Sequence, residues 1–297
     1  MGYTGLHYMK REFPNIAAKK SLGQHFLNNS RVPELMADAG DVKEGDIVLE
    51  IGPGTGVLTR ELLKRGAHVI AIEADIRAVE SLKETFRAEI VAQNMNLNRT
   101  DLLNRSVLFN AGGLTLVHGD VRGIDLNALG LRPSAFKIVA NIPYYLSGML
   151  FRLFLESKIQ PTDLVFLVQR EVGERIARGK KESLLSLSIK VFGDPKYVKT
   201  IGKGNFTPPP KIDSAIIAIS NISKEKLGKI PEEVFFKLIH EGFKSKRKQL
   251  LGNLSDSFDR AVLTHIFSTL PLPLDVRGED LSLTKWLELC HAISLHR

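Results

Sequence analysis

Cysteine is nearly missing from this 297-residue chain: Cys290 stands alone. That excludes an intrachain disulfide and any multi-cysteine metal site, and it points to a reducing cytoplasm. Long apolar runs are missing too, since no stretch reaches the roughly 18 residues that a membrane span needs. The opening Met1–Lys10 lacks the apolar centre of a secretory leader, and Leu6 stands where a myristoylation signal wants Ser or Thr. The eight histidines show no ligand spacing. His291 and His296 lie five apart with nothing nearby to complete a site, so no metal is expected. No internal repeat is visible. Residues 1–18 carry no periodic pattern and read as a loose segment, within which Met9 is an alternative start.

What remains is an ordinary globular composition, 43% apolar and 25% charged. The length allows one large core, or one core with a small appended domain. Acidic residues are outnumbered, 33 against 41 basic, for a net charge of +8. A polyanionic partner suits that balance, with nucleic acid first.

Short apolar runs alternate with helical patterns from about residue 30 to residue 220, the pattern of a parallel sheet covered by helices on both faces. Strands are expected at Ile47–Ile51, Val69–Glu73, Leu114–His118, Lys137–Ala140 and Leu164–Val168. A late pair, Tyr197–Ile201 and Ser214–Ile219, flanks Pro208–Pro210 and suits an antiparallel edge. Residues 221–233 read as a linker between a domain over 19–222 and a smaller helical one over 232–297. The helical stripe begins at Phe236, Ile239 and Phe243 and continues through Leu250 and Leu254. The stretch near 88–113 exceeds what a helix and a short loop require. It reads as a surface insertion in which Thr100 and Asp101 cap a short helix through Phe109.

Behind the strand Ile47–Ile51 come Gly52, Gly54 and Gly56, then a helix over Val57–Lys64. Glycine lets a ligand approach the backbone, and the exposed amides at the helix start favour an electronegative group. The sixth position of a dinucleotide fingerprint holds Val57 rather than glycine. With Glu50 in front, the turn is instead typical of enzymes that bind S-adenosylmethionine. Glu73, 21 residues past Gly52, is placed to accept ribose hydroxyls, and Asp120 to accept an adenine amine. Singly, either acid could be a helix cap; two at successive strand ends argue for a nucleoside site.

The run Asn141-Ile142-Pro143-Tyr144 follows the fourth strand. An adenine N6 amine is a weak nucleophile, because its lone pair is delocalised into the ring. A site that methylates it must orient that lone pair and accept the two amine hydrogens. The Asn141 carbonyl and a backbone carbonyl near Ile142 or Pro143 can do so, and these bonds strengthen as charge develops on nitrogen. No strong base is required, since water can take the proton. Tyr144 would stack on the base, and Phe206, opening Phe206-Thr-Pro-Pro-Pro-Lys211, is the candidate for its opposite face. Core packing is the alternative for both rings. Lys244, Lys246, Arg247 and Lys248 form one basic run. Arg170, Arg175, Arg178, Lys180 and Lys181 form a second, and Lys10, Arg11, Lys19 and Lys20 a third. Solvated faces are the common reason for such runs; three of them around one pocket favour phosphate contacts.

These residues resemble the ribosomal RNA adenine dimethyltransferases, in particular the bacterial small-subunit branch. The likeness covers roughly residues 17–293. It includes Lys19-Lys-Ser-Leu-Gly-Gln-His-Phe-Leu27, Glu50–Gly56, Asn141–Tyr144, Phe206–Ser214, Phe243–Lys248 and Arg277–Ser282. The resemblance implies a Rossmann-like α/β methyltransferase sheet with a small all-helical C-terminal domain. It implies that His25 and Leu27 contact S-adenosylmethionine, with Gly52 under its methionine part, Glu73 on the ribose and Asp120 on the adenine; Gly54, in the same turn, is a further cofactor-binding candidate. Asn141 would touch both cofactor and target amine. The implied reaction is dimethylation of two adjacent adenosines near the 3′ end of small-subunit ribosomal RNA in an assembling subunit, by a monomer with no membrane partner. Many relatives carry asparagine where this chain has His25, and the 88–113 insertion is a larger departure. Two rivals are a large-subunit methyltransferase of the macrolide-resistance type, which usually lacks the Arg277–Ser282 segment, and an idle assembly factor. A small-molecule or protein methyltransferase is disfavoured by the basic C-terminal part.

Overall fold

The structure, a computed structural model, describes residues 16–19, 22–92 and 113–296. Lys10, Arg11 and Lys20, the alternative start Met9, and the short helix expected over 100–109 lie outside the described residues. In chain order the elements are β1 (Phe26–Leu27), α1 (Arg31–Ala39), β2 (Ile47–Ile51), α2 (Val57–Lys64), β3 (His68–Glu73), α3 (Ile76–Thr85), β4 (Ile90–Ala92) and β5 (Gly113–His118). There follow β6 (Lys137–Asn141), α4 (Ser147–Leu155), β7 (Asp163–Gln169), α5 (Arg170–Ala177), α6 (Leu184–Lys190), β8 (Asp194–Ile201), β9 (Phe206–Thr207) and β10 (Ser214–Ser220). The C-terminal part is helical: α7 (Glu232–Gly242), α8 (Leu250–Leu254), α9 (Arg260–Thr269) and α10 (Leu283–Leu295).

Eight strands form one sheet in the order β4-β5-β3-β2-β6-β7-β10-β8. β10 runs antiparallel to both β7 and β8, and the remaining pairs are parallel. The chain leaves β2 toward β3 on one side and later returns to place β6 on the other. That reversal opens a crevice at the carboxyl ends of β2 and β6, where open α/β sheets bind ligands.

Alternation along each strand divides the core. Leu49, Ile51, Ile70, Ile72, Ile138 and Phe166 face the side covered by α4 and α6, and the same apolar cluster continues into α7–α10 through Phe235, Leu238, Leu250 and Trp286. Val48, Val69, Ala71, Val139 and Val165 face α1, α2 and α3. Gly56 opens α2 with φ +83°, and a Cβ there would come within 2.5 Å of the Phe86 ring. Only glycine satisfies both the turn and that packing.

The expected strands agree with the structure within three residues at each end. The edge strand β4 and the two-residue pair β1–β9 are additions to them; both are too short to show a period. Parts of the expected linker over 221–233 are packed. Ile222 and Leu227 are buried, and the Lys226 ammonium donates to the carbonyls of Lys190 and Gly193. Of the expected helical stripe, Ile239, Leu250 and Leu254 are buried, and Phe236 and Phe243 are partly covered. In α7 the buried face is Phe235, Leu238, Ile239 and Gly242.

Candidate functional site

Four neighbouring parallel strands, β5, β3, β2 and β6, end at one cleft of about 130 Å³. Its wall holds Gly52 and Gly54 after β2, Glu73 at the end of β3, Asp120 after β5, and Asn141 and Tyr144 at and after β6. His25 lies over them from the N-terminal segment. Seven residues expected from the sequence, on four strand ends and one distant segment, thus surround the same space.

The glycine turn is open toward the cleft. A Cβ at Gly52 would meet nothing within 4 Å, so glycine there keeps room for a ligand. At Gly54 a Cβ would lie 2.8 Å from the Phe26 ring, which roofs the turn. Glu73 is 5% exposed and accepts hydrogen bonds from the Gly54 amide (3.1 Å) and the Asp75 amide (2.8 Å). Burial raises its pKa, and those amides partly offset the rise. Glu50, one strand inward, is 1% exposed and accepts from Thr59 Oγ1 at 2.7 Å. Burial pushes its carboxyl up to about 8, against the Thr59 bond and with help from nearby Glu73. At neutral pH the base of the turn thus holds a neutral acid at Glu50. Asp120 is held by its own neighbour: Arg122 Nε lies 2.9 Å from both carboxylate oxygens, and this pairing lowers the Asp120 pKa. Asp120 is thus one half of a charge-balanced pair, a feature absent from the sequence reading although Arg122 stands two residues on.

The N-terminal segment is tied down on both sides. Gln24 Nε2 donates to Asp75 at 3.3 Å, Lys19 pairs with the same carboxylate at 3.4 Å, and the Asn28 amide donates to the Asn205 carbonyl at 3.0 Å. The Asn141 side chain donates Nδ2–H to the His25 carbonyl at 3.0 Å. His25 Nδ1 lies 2.7 Å from the Pro208 carbonyl. A carbonyl only accepts, so Nδ1 is the donor in this bond. The Tyr144 hydroxyl bonds Ser214 Oγ at 2.6 Å, and burial raises its pKa.

One expectation is corrected, and the Leu27 side chain lies off the cleft wall. Phe206 is not on the cleft wall; it is 2% exposed and belongs to the apolar cluster beneath. β9 pairs antiparallel with β1, matching Phe206 with Leu27, and this buries both side chains together. The ring that faces Tyr144 is His25, with centroids 5.9 Å apart and planes 22° from parallel. Leu27 is 6% exposed in the same cluster, and its neighbour Phe26 lines the cleft instead. Gln24, Phe26, Arg122 and Tyr145 are wall residues that sequence reasoning did not select.

The basic runs after β7 and after α7 converge. Arg175, Lys181, Lys246, Lys248 and Arg277 line one concavity between α5, α6 and the helical C-terminal part. Lys244 and Lys248 are shared with Asp256 at 3.7 and 3.6 Å, whereas exposed Lys246 and Arg247 have no carboxylate partner among the described residues. Arg178 is diverted onto the Tyr197 ring, 3.8 Å from its centroid. Among the described residues no group of side chains could hold a metal ion, and no helix is long and apolar enough to cross a membrane.

Comparison with known proteins gives this geometry its family. The "Ribosomal RNA small subunit methyltransferase A" of Dehalococcoides mccartyi strain BAV1 is 36% identical over 278 residues, 93% of this chain and 88% of that protein. The protein of the same name from Fusobacterium nucleatum is 31% identical over 276 residues, 91% of this chain and 96% of its own. Among solved structures, a dimethyladenosine transferase from Plasmodium falciparum superposes with a TM-score of 0.71 at 23% identity, over 89% of this chain and 96% of that one. The 23S rRNA methyltransferase ErmE gives 0.69 at 20% identity, over 91% and 99%. At those identities the two structures speak for the fold alone, an α/β methyltransferase sheet with C-terminal helices. The sequence profile of the ribosomal RNA adenine dimethylases matches residues 15–294, and the chain belongs to that family.

Proposed function

We propose that this protein transfers methyl groups from S-adenosylmethionine to the N6 amines of two adjacent adenosines near the 3′ end of small-subunit ribosomal RNA. It does so as a monomer acting on an assembling subunit in the cytoplasm. The observation that carries this reading is the Asn141 amide, fixed by the His25 carbonyl so that Oδ1 is left as the acceptor beside Tyr144.

The cofactor, when bound, supplies an electrophilic methyl on a sulfonium. The residues suit it. The open Gly52–Gly54 turn receives the methionine part, Glu73 accepts from the ribose, and Asp120 receives the adenine amine. His25 and Phe26 cover it from the N-terminal segment. Asn141 Oδ1 accepts one hydrogen of the target amine and holds its lone pair off the ring plane. Positive charge grows on that nitrogen during transfer, so the bond is stronger in the transition state than in the ground state. Tyr144 gives the base a ring to stack on, and its Ser214 bond keeps that ring from swinging away. The basic concavity with Lys246, Lys248 and Arg277, flanked by Lys244 and Arg247, meets the RNA backbone.

A large-subunit target is the alternative of the same chemistry. The Arg277–Ser282 segment favours the small subunit, because it is built into the basic concavity. Lys181 pairs with Glu279 at 2.5 Å and Asp280 at 3.2 Å, leaving Arg277 on the wall. The test incubates the purified protein and labelled cofactor with undermethylated small subunits, large subunits and free RNA. Label is expected on small-subunit RNA as dimethyladenosine; label on large-subunit RNA alone, or on none, overturns the reading.

A further inference from the structure

Tyr145 has no part in the chemistry just described. Five large hydrophobic residues are exposed among the described residues, namely Ile76, Ile212, Leu274, Leu295 and Tyr145, and Tyr145 is the one aromatic among them, 62% exposed. Single exposed apolar side chains are ordinary on a protein surface. This one differs in where it stands and in how it is held. It lines the same cleft as Asn141 and Tyr144, within the short turn Tyr144–Leu146 that joins β6 to α4. Successive residues of that turn point two ways. Tyr144 turns inward, half-buried and bonded to Ser214, while Tyr145 stays outside at the rim.

The ring is backed by main chain. Gly23 lies against its edge, and a Cβ there would sit 3.1 Å from Cε1 and 3.3 Å from Cδ1. The tied N-terminal segment thus braces Tyr145, while more than half of the residue remains open to solvent. A rigid aromatic surface beside a flat-base pocket matches a stacking platform for single-stranded nucleic acid.

We propose that Tyr145 stacks the base next to the adenosine held at Asn141, so that the second adenosine of the pair waits on this ring while the first is methylated. The inference rests on the proposed RNA reading and deepens it. A strand that turns one base into the pocket must carry its neighbour across the rim, and the ring there is Tyr145. Unstacking two adjacent bases costs free energy, and a ring at each position offsets it.

The test uses small subunits whose RNA carries 2-aminopurine in place of one adenosine of the pair. That base has no amine at C6, so it cannot be the acceptor and reports the neighbour's seat. Stacking on Tyr145 should quench its fluorescence when wild-type protein binds. Tyr145→Phe should keep the quench and the KM for subunits. Tyr145→Ala should restore the fluorescence and raise KM about tenfold, with the rate at saturation changed far less. Because Tyr145 is exposed, both variants should fold as the wild type does, which their thermal transitions would check. If wild-type protein methylates small subunits but Tyr145→Ala shows the same quench and KM, the platform is wrong and the RNA reading stands. If wild-type protein labels no small-subunit RNA, the RNA reading itself has failed.

Discussion

The amide of Asn141 reaches across to the backbone of His25, Nδ2 to carbonyl oxygen, at 3.0 Å. One bond thereby links the end of β6 to a segment more than a hundred residues earlier, and it decides which way the amide points. With nitrogen committed to His25, oxygen is the atom available to a ligand. The same stretch of backbone also covers the glycine turn through Phe26. The glycine turn and Asn141 therefore share one piece of chain.

That arrangement separates two substitutions at Asn141. Asn141→Ala removes the acceptor, and transfer should fall by about 10²–10³, the usual effect of losing one transition-state hydrogen bond. Asn141→Asp keeps an oxygen toward the ligand but sets a second one against the His25 carbonyl. It should lose activity comparably and also loosen the N-terminal segment, visible as faster amide exchange at residues 22–28. RNA binding should be largely retained in both. Full turnover in Asn141→Ala would remove this side chain from the mechanism.

Glu50 gives a pH signature in stability. Its carboxyl is raised to about 8 in the folded protein, chiefly by burial, while in the unfolded chain it ionises near its ordinary 4.5. A raised acid favours the protonated folded state. Its contribution is whole below the unfolded value and drains away as pH rises through about 8. The loss is about 1.4 kcal/mol per pH unit over that window, roughly 4–5 kcal/mol in all. Glu50→Gln keeps an oxygen for Thr59 and cannot ionise. Urea titrations should find it close to wild type at pH 5 and several kcal/mol more stable at pH 8. Parallel stability curves for the two proteins between pH 5 and 8 would show that Glu50 is ionised in the fold.

Much of this site is legible in the amino-acid sequence alone. Continuous apolar runs give the central strands, and ligands of such sheets gather at carboxyl ends. Gly52, Glu73, Asp120 and Asn141 can therefore be placed by counting from strand ends. The side chains that lie off the cleft wall depend on pairing between distant segments. Nothing local in Phe206 or Leu27 reveals that β9 lies antiparallel to β1 and buries both. For the same reason His25 enters only as a contact that the family resemblance implies, and nothing local tells of its ring against Tyr144. Composition cannot distinguish a neutral buried acid at Glu50 from an ionised one, since the difference arises from packing around it.

The basic run after α7 is not uniform, and salt should reveal it. Lys244 and Lys248 share Asp256, while Lys246 and Arg247 are exposed without a carboxylate partner among the described residues. The unshared pair can release counterions on binding RNA with less competition from the protein's own acids. Changing both to alanine should lower the slope of log K against log salt by about 1.4–1.8, at roughly 0.7–0.9 per phosphate contact. Lys244 and Lys248 changed together should alter the slope less, because Asp256 loses its partners too. Binding constants at four or five salt concentrations distinguish the pairs, and equal slopes for all proteins would mean a merely solvated surface.

The joint that carries this basic surface depends on a glycine at the end of α7. A Cβ at Gly242 would lie 2.3 Å from Cη2 of Trp286 and 2.9 Å from a Leu250 methyl. The indole cannot easily yield. It is 0% exposed, donates Nε1–H to the Gly278 carbonyl at 3.1 Å, and stacks on Phe243 with centroids 5.7 Å apart. Alanine normally favours a helix over glycine by about 1 kcal/mol. At this position the clash should reverse the sign, so that Gly242→Ala destabilises by about 1–3 kcal/mol, the usual cost of overpacking. Gly252→Ala in α8 is the matched control, because a Cβ there meets nothing within 4 Å. It should be neutral or slightly stabilising. Denaturant titrations of the two variants give the contrast directly. Since Arg277 and Gly278 belong to the same concavity, Gly242→Ala should also weaken subunit binding while cofactor binding in the cleft at the strand ends stays unchanged. Equal stability of the two variants would mean that Trp286 can shift, and that the joint is looser than its packing indicates.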